Sequence, residues 1–139
     1  MLHCTDTRPS QDFTIEKLKA CHKREGFGSY PGYHLYVRRD GTLYYCRPLQ
    51  LKGCHVAGWN AHSIGISYEG GHREDAPYGE HSYHGPRYED NRTPEQKETL
   101  TAVIRTLREL FPSARICGHR DLNPGKACPC FDASKEYAD

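Results

Sequence analysis

The chain has 139 residues, of which 36% are apolar and 27% charged, and its formal net charge is +1 with histidine neutral. This length fits one compact domain with one hydrophobic core, so we predict a single domain over residues 1–139. The balanced charge gives no strong field for nucleic acid or an acidic membrane, and no apolar run approaches the ~20 residues of a membrane-spanning helix. We expect neither partner, and we expect a monomer. The first residues carry no basic-then-apolar secretion signal, which leaves the localisation open.

The first half of the chain contains signals for one helix and three strands. Thr14 is a candidate N-cap for a helix that runs to about residue 25. Two alternating runs flank Asp40-Gly41, which is the strongest short-range signal for a β-hairpin. A third alternating run ends at two glycines. The predicted strands cover residues 33–37, 42–45 and 64–68.

A long polar stretch rich in Gly, Pro, His and Tyr follows the third strand, to about Arg92. A loop of this length inside a small domain is often functional. We expect its histidines to be solvated, and the sequence leaves open whether its tyrosines stack on sugar rings. The histidines are His72, His81 and His84, and the tyrosines are Tyr78, Tyr83 and Tyr88.

The second half opens with the best helix signal of the sequence. Thr93 is placed to cap the helix, Pro94 fits its first turn, and Gln96 occupies the capping-box position. Apolar residues then recur at helical period until Pro112 ends the run. Residues 114–117 predict a short final strand. Taken together, the elements predict an α/β domain with a central mixed β-sheet flanked by helices.

Seven cysteines are many for this length, and an odd number cannot be fully paired within one chain. The spacing leaves open whether Cys46 and Cys54 form a disulfide. Cys130 lies two residues from Cys128 and is a potential competitor for a metal ion.

Three residues far apart in the chain have the chemistry of zinc ligands. A catalytic zinc needs three protein ligands of nitrogen, sulfur or oxygen type and an open position for water. His3, His119 and Cys128 supply two imidazoles and one thiolate. Pro124 and Gly125 lie between the last two ligands and give the chain room to fold back on the metal.

The segment 118–129, Gly-His-Arg-Asp-Leu-Asn-Pro-Gly-Lys-Ala-Cys-Pro, resembles the C-terminal zinc motif of type 2 N-acetylmuramoyl-L-alanine amidases. That family includes phage lysozyme-type amidases and the animal peptidoglycan recognition proteins. Nearly the whole chain takes part in the resemblance, in the family's order. The earlier segments that resemble the family are residues 3–5, 32–42 and 55–66.

The resemblance implies an amidase-like fold with one catalytic zinc ion on His3, His119 and Cys128. It implies a peptidoglycan or muropeptide substrate, whose amide bond between N-acetylmuramic acid and L-alanine of the stem peptide is hydrolysed. It also implies that Tyr33 and Lys126 take part in catalysis. Positive charge near the carbonyl oxygen would stabilise the tetrahedral oxyanion of amide hydrolysis, and a phenol can hold water or donate a proton.

Neighbouring residues receive weaker expectations. His55 and Asn60 fall where the family lines its substrate groove, which makes them candidate substrate-binding residues. We expect His34 to be structural, because strand alternation places it on the face opposite Tyr33. We expect Arg120 and Asp121 to orient the ring of His119, and we expect Asp132 to cap a helix.

Two other function classes remain open at this point. One is a binding module that recognises muropeptide without cutting it. The other is a structural zinc domain with a closed site, in which Cys130 or His34 supplies the fourth ligand. Only Met1 and Leu2 precede His3, and chain ends fray unless they are held. The sequence leaves open whether the metal and a neighbouring strand hold this end or whether the first strand is truncated.

Overall fold

The computed structural model describes residues 1–77 and 87–138. Within these ranges the chain forms one four-stranded sheet with helices packed on it. The strands are β1 (Leu2–Cys4), β2 (Leu35–Val37), β3 (Leu43–Tyr45) and β4 (Ile66–Tyr68). The α-helices are α1 (Ile15–Arg24), α2 (Pro94–Leu110), α3 (His119–Leu122) and α4 (Ala133–Glu136), and 3-10 turns cover Pro9–Gln11 and Asn60–His62.

The sheet is mixed, as the sequence predicts, with the strand order β1-β4-β2-β3. Strand β4 lies parallel to both β1 and β2, whereas β2 and β3 form the predicted antiparallel hairpin. Gly41 closes this hairpin with a φ of +88°, a left-handed conformation that favours glycine. A Cβ atom at Gly41 would also lie 3.0 Å from the carbonyl oxygen of Glu95 in the first turn of α2.

The two faces of the sheet carry different side chains because successive strand residues point to opposite faces. One face is apolar and packs against Leu100, Val103 and Ile104 of α2. Its strand residues are Leu2, Cys4, Leu35, Val37, Ile66 and Tyr68. The central residues of the three strands β1, β4 and β2 are in register on the other face, and α1 packs there through Leu18. These central residues are His3, Ser67 and Tyr36.

Both long helices begin where the sequence predicts. The hydroxyl of Thr14 accepts a hydrogen bond from the backbone N–H of Lys17 at 3.2 Å and caps α1. Thr93 and Gln96 form the predicted capping box of α2, with two reciprocal hydrogen bonds of 3.0 Å. None of the helices in the described ranges is both long enough and apolar enough to cross a bilayer.

The prediction of a strand over residues 114–117 is wrong. This segment meets β1 at a single point, where the N–H of Leu2 donates to the carbonyl oxygen of Cys117 at 2.8 Å. The chain then turns away because the carboxylate of Asp121 accepts a hydrogen bond from the N–H of Gly118 at 2.7 Å. That bond begins α3 at His119, so the extended run ends before a strand forms.

The amino terminus is held in place despite its short lead into β1. The terminal ammonium group donates to the carbonyl oxygen of Ile64 at 2.6 Å, and the N–H of Ile66 donates to the carbonyl oxygen of Met1 at 2.9 Å. Pairing with β4 continues from Leu2 to Cys4. The backbone next to His3 is therefore fixed on both sides.

Candidate metal centre and active-site cleft

Three separate elements bring the predicted ligands together. His3 is the central residue of β1, His119 is the first residue of α3, and Cys128 lies in the loop that follows α3. One ligand atom from each of these residues lies within 4.8 Å of the other two. Nδ1 of His3 is 3.7 Å from Sγ of Cys128, which identifies the ring nitrogen of His3 that faces the centre.

The surroundings favour the protonation states that metal binding requires. Burial, and then the neighbouring rings of His55 and His119, hold the pKa of His3 well below its ordinary value. Burial, and then the charge of Lys126, lower the pKa of His119. Both imidazoles are therefore neutral near pH 7 and keep a free lone pair. The backbone N–H of Cys4 donates a hydrogen bond to Sγ of Cys128 at 3.2 Å.

This donor set fits a zinc ion. Two imidazoles and one thiolate are borderline-soft ligands, and three protein ligands leave one position of a tetrahedral site for solvent or substrate. The two residues considered as alternative fourth ligands, His34 and Cys130, contact other groups. The two ring nitrogens of His34 are taken up by the carbonyl oxygen of Leu51 at 2.8 Å and the N–H of Gly65 at 3.0 Å. Sγ of Cys130 contacts Sγ of Cys4 at 3.7 Å.

A chain of hydrogen bonds leads away from the metal-facing histidine. Nε2 of His3 and Nδ1 of His55 are 2.8 Å apart, and Nε2 of His55 is 3.3 Å from the hydroxyl of Ser63. That hydroxyl donates to the carbonyl oxygen of Trp59 at 2.8 Å. If each Nε2 carries the proton, every group in the chain has a partner, and Nδ1 of His3 is left unprotonated on the side of Cys128.

The space for the ring of His55 depends on two glycines. A Cβ atom at Gly53 would lie 2.6 Å from the ring, and one at Gly65 would lie 2.8 Å from it. The carboxamide oxygen of Asn60 accepts hydrogen bonds from the backbone N–H groups of His55 and Val56, both at 2.8 Å. Asn60 therefore holds the loop that carries His55.

A cleft of about 590 Å³ opens beside the candidate metal centre. It is lined by the predicted catalytic residues Tyr33 and Lys126, and by His119 from the ligand set. The ring of Tyr33 packs against that of His3, with centroids 5.1 Å apart. Burial raises the pKa of Tyr33, so its phenol stays protonated near pH 7. The other residues lining the cleft are Thr5, Phe13, Leu18, Cys21, His22, Glu25, Phe27, Cys54, His55, Val56, Ala57 and Asn60.

Several weaker expectations can now be compared with the structure. Asp132 caps α4, as predicted, by accepting a hydrogen bond from the N–H of Lys135 at 3.1 Å. Asp121 contacts the N–H of Gly118 and the hydroxyl of Ser134, so it orients the backbone that leads into α3. The cysteines in the described residues, including Cys46 and Cys54, are free thiols.

The expectation for His72 is wrong, since its side chain is buried rather than solvated. Its Nδ1 lies 2.7 Å from the carbonyl oxygen of Arg73, and its backbone forms an antiparallel bridge with that of Tyr88. The remaining predictions for the polar stretch concern Tyr78, His81, Tyr83 and His84, which lie outside the described residues.

A family model described as N-acetylmuramoyl-L-alanine amidase matches residues 1–131. The chain belongs to this family. The endolysin of Enterobacteria phage K11 is 36% identical to this chain over 134 residues. These residues make up 96% of this chain and 81% of the endolysin. The amidase LysC of Clostridium intestinale URNW is 30% identical, with a TM-score of 0.75 over 97% of this chain and 77% of its own. PGRP-SA of the bumblebee shares the fold, with a TM-score of 0.72 at 19% identity over 97% of this chain and 76% of its own.

The family and the fold that the C-terminal motif implies are thus confirmed. The sequence did not single out three other residues around the centre of this amidase-family chain as site residues. Cys4 contacts Cys128 through its backbone, His22 lines the cleft, and Ser67 lies beside His3 in the sheet. The period of two in β1 and β4 is the signal that would have placed Ser67 on the face of His3.

Proposed function

We propose that the chain is a zinc-dependent N-acetylmuramoyl-L-alanine amidase that hydrolyses the amide between N-acetylmuramic acid and L-alanine of peptidoglycan. The observation that carries this proposal is the meeting of His3, His119 and Cys128 within 4.8 Å beside a cleft that Tyr33 and Lys126 line. Membership in the amidase family and the likeness to a phage endolysin support the same reaction and substrate.

His3, His119 and Cys128 are the residues that would hold the zinc ion. When bound, zinc supplies a Lewis acid that polarises a carbonyl group and lowers the pKa of water to about 7. His55 is a positioning residue in this proposal. Its hydrogen bond to Nε2 of His3 fixes the ring orientation and leaves Nδ1 free for the metal.

Lys126 would act on the oxygen of the scissile carbonyl. Amide hydrolysis passes through a tetrahedral species whose oxygen carries negative charge, and a positive group placed beforehand near that oxygen stabilises it. The side chain of Lys126 lines the cleft beside His119, and its charge is close enough to lower the pKa of that imidazole.

Tyr33 would serve as a hydrogen-bond donor beside the same carbonyl. Its raised pKa keeps the proton on the phenol, so the hydroxyl can donate to the developing oxyanion or deliver its proton to the leaving amine. The ring is held against His3 and His22, with centroid distances of 5.1 and 5.2 Å, so its position is set before substrate binds.

The proposal is tested by incubating purified cell walls with the zinc-loaded protein and measuring newly freed amino groups of L-alanine. The parent should release them, whereas Cys128→Ser should lose both zinc and activity. Lys126→Ala and Tyr33→Phe should keep zinc and lose most turnover, on the order of 100-fold or more. Lys135→Ala, which removes an exposed lysine of α4, is the matched control and should behave as the parent.

Three results would overturn parts of this proposal. Absence of alanine release by the zinc-loaded parent, with muropeptide binding retained after chelation, would identify a binding module instead. Full activity in Lys126→Ala would remove that residue from the mechanism. Zinc bound with no exchangeable solvent position, as seen by spectroscopy of a cobalt-substituted site, would identify a structural metal site.

A further inference from the structure

A pair of thiols lies beside the candidate metal centre and has no part in the proposed reaction. Cys4 follows His3 in β1 and points to the opposite face of the sheet. Its Sγ lies 3.7 Å from Sγ of Cys130, which is two residues beyond Cys128. The pair therefore forms a contact between the segment that carries His3 and the segment that carries Cys128.

The local backbone makes room for this contact. Gly71 has a φ of +93°, and a Cβ atom there would lie 2.5 Å from Sγ of Cys4 and 3.5 Å from Sγ of Cys130. Cys130 has a φ of +76°, and its N–H donates to the carbonyl oxygen of Ala127 at 2.8 Å. The two sulfurs need to approach by about 1.7 Å to reach a disulfide bond length.

The two thiols differ in access to solvent. Cys4 is 5% exposed. Cys130 lines a second cleft of about 490 Å³ on the side of Tyr88, Arg120 and Pro124. A small oxidant in this cleft can therefore reach Cys130 first, while Cys4 lies behind it in contact.

We propose that Cys4 and Cys130 are a disulfide-forming pair that closes when the folded protein meets a small-molecule disulfide. The deprotonated thiol of Cys130 attacks one sulfur of the small disulfide and releases one small thiol, which leaves a mixed disulfide on Cys130. Cys4, once deprotonated, attacks Sγ of Cys130 and releases the second small thiol. The protein loses two hydrogens and gains one S–S bond, and the small disulfide is reduced to two thiols.

The crosslink would act on the two ends of the chain. It would join residues 126 positions apart and restrict the unfolded chain accordingly. It would tie β1, which carries His3, to the segment that carries Cys128. Cys128, the proposed zinc ligand, takes no part in the crosslink.

The test uses the full-length, zinc-loaded protein incubated with oxidised glutathione, followed by blocking of free thiols and peptide mapping by mass spectrometry. We expect one crosslink, between the peptides of Cys4 and Cys130, with Cys128 recovered as the blocked thiol. The oxidised protein should unfold about 10 °C above the reduced one. It should also lose zinc to a chelator more slowly.

Cys130→Ser removes the pair and should show neither the crosslink nor the temperature shift. Cys46→Ala removes a buried thiol elsewhere in the core and should retain both. A crosslink that includes Cys128 would overturn the proposal. Recovery of Cys4, Cys46, Cys128 and Cys130 all as free thiols after prolonged oxidation would overturn it as well. Neither readout depends on catalytic activity, so failure here is distinguishable from failure of the proposed amidase function.

Discussion

His55 decides which nitrogen of His3 is free, because it occupies the other one. We therefore expect His55→Ala to weaken zinc binding by about 10- to 100-fold, as outer partners of metal-bound histidines commonly do. Competition with a chromophoric chelator measures this affinity directly. His62→Ala removes an exposed histidine of the following turn and is the matched control, which should bind zinc as the parent does.

A different outcome for His55→Ala would favour the substrate-binding role that the sequence suggests for His55. If the variant holds zinc as tightly as the parent but shows a raised KM for muropeptide, then His55 contacts substrate rather than positioning His3. The structure argues for positioning because both ring nitrogens of His55 already face protein groups, at 2.8 and 3.3 Å.

The residues of the candidate metal centre could be proposed from the sequence because the motif around His119 and Cys128 is specific and contiguous. The contact between His3 and His55 was not, since it spans 52 positions and depends on how the loop after β3 folds over β1. The burial of His72 was missed for a related reason. Its polar neighbours in sequence suggest a solvated loop, whereas the fold buries its side chain and pairs its backbone with that of Tyr88.

Among the elements, those with strong local signals formed as predicted. The hairpin has its glycine at the turn, and α2 has a complete capping box, so few long-range contacts were needed to define either element. The segment 114–117 lacked such a signal. Its extended residues form a strand only if a neighbour pairs with them, and β1 offers one bridge before Asp121 begins α3.

Helix α4 is attached to the start of α2 by one buried guanidinium. Arg92 contacts Glu136 at 2.7 and 2.8 Å and Asp90 at 2.9 and 3.0 Å, and its side chain is 0% exposed. We expect Arg92→Lys to lower the free energy of unfolding by about 1–3 kcal/mol, because lysine keeps the charge but not the bidentate geometry. Denaturant unfolding of both proteins at pH 7 measures the difference.

The same cluster gives this prediction a pH dependence. Hydrogen bonding to Arg92 lowers the pKa of Glu136, and at Asp90 the contacts with Arg92 outweigh a burial effect of opposite sign, so its pKa is also lowered. Carboxyl groups with a depressed pKa stabilise the fold above their unfolded pKa of about 4, and that contribution is lost as the pH falls through the folded pKa. The difference between parent and Arg92→Lys should therefore shrink below pH 4.

Arg73→Lys is the matched control for this cluster. Arg73 pairs with Asp75 on the surface, where both side chains are largely exposed, so the substitution should change stability by less than about 0.5 kcal/mol. An equal loss of stability in both variants would mean that the buried contacts of Arg92 contribute no more to stability than an exposed ion pair.

At the scale of the whole molecule, the candidate metal centre joins the two ends of the chain. His3 lies in the first strand, and Cys128 lies 125 positions later in the loop after α3. A metal ion that binds both residues only in the folded form should raise the unfolding temperature.

Removal of zinc should therefore destabilise the entire fold and not the cleft alone. At a free zinc concentration of about 100 times the Kd, the linkage is worth about 2.7 kcal/mol, which corresponds to an unfolding temperature roughly 10 °C higher than after chelation. Calorimetry of the parent with zinc and with a chelator measures the shift. Cys128→Ser should unfold at one temperature in both conditions, whereas Lys126→Ala should keep the full shift because it lies outside the ligand set. Equal unfolding temperatures of the parent in both conditions would mean that zinc binding adds nothing to the stability of the fold.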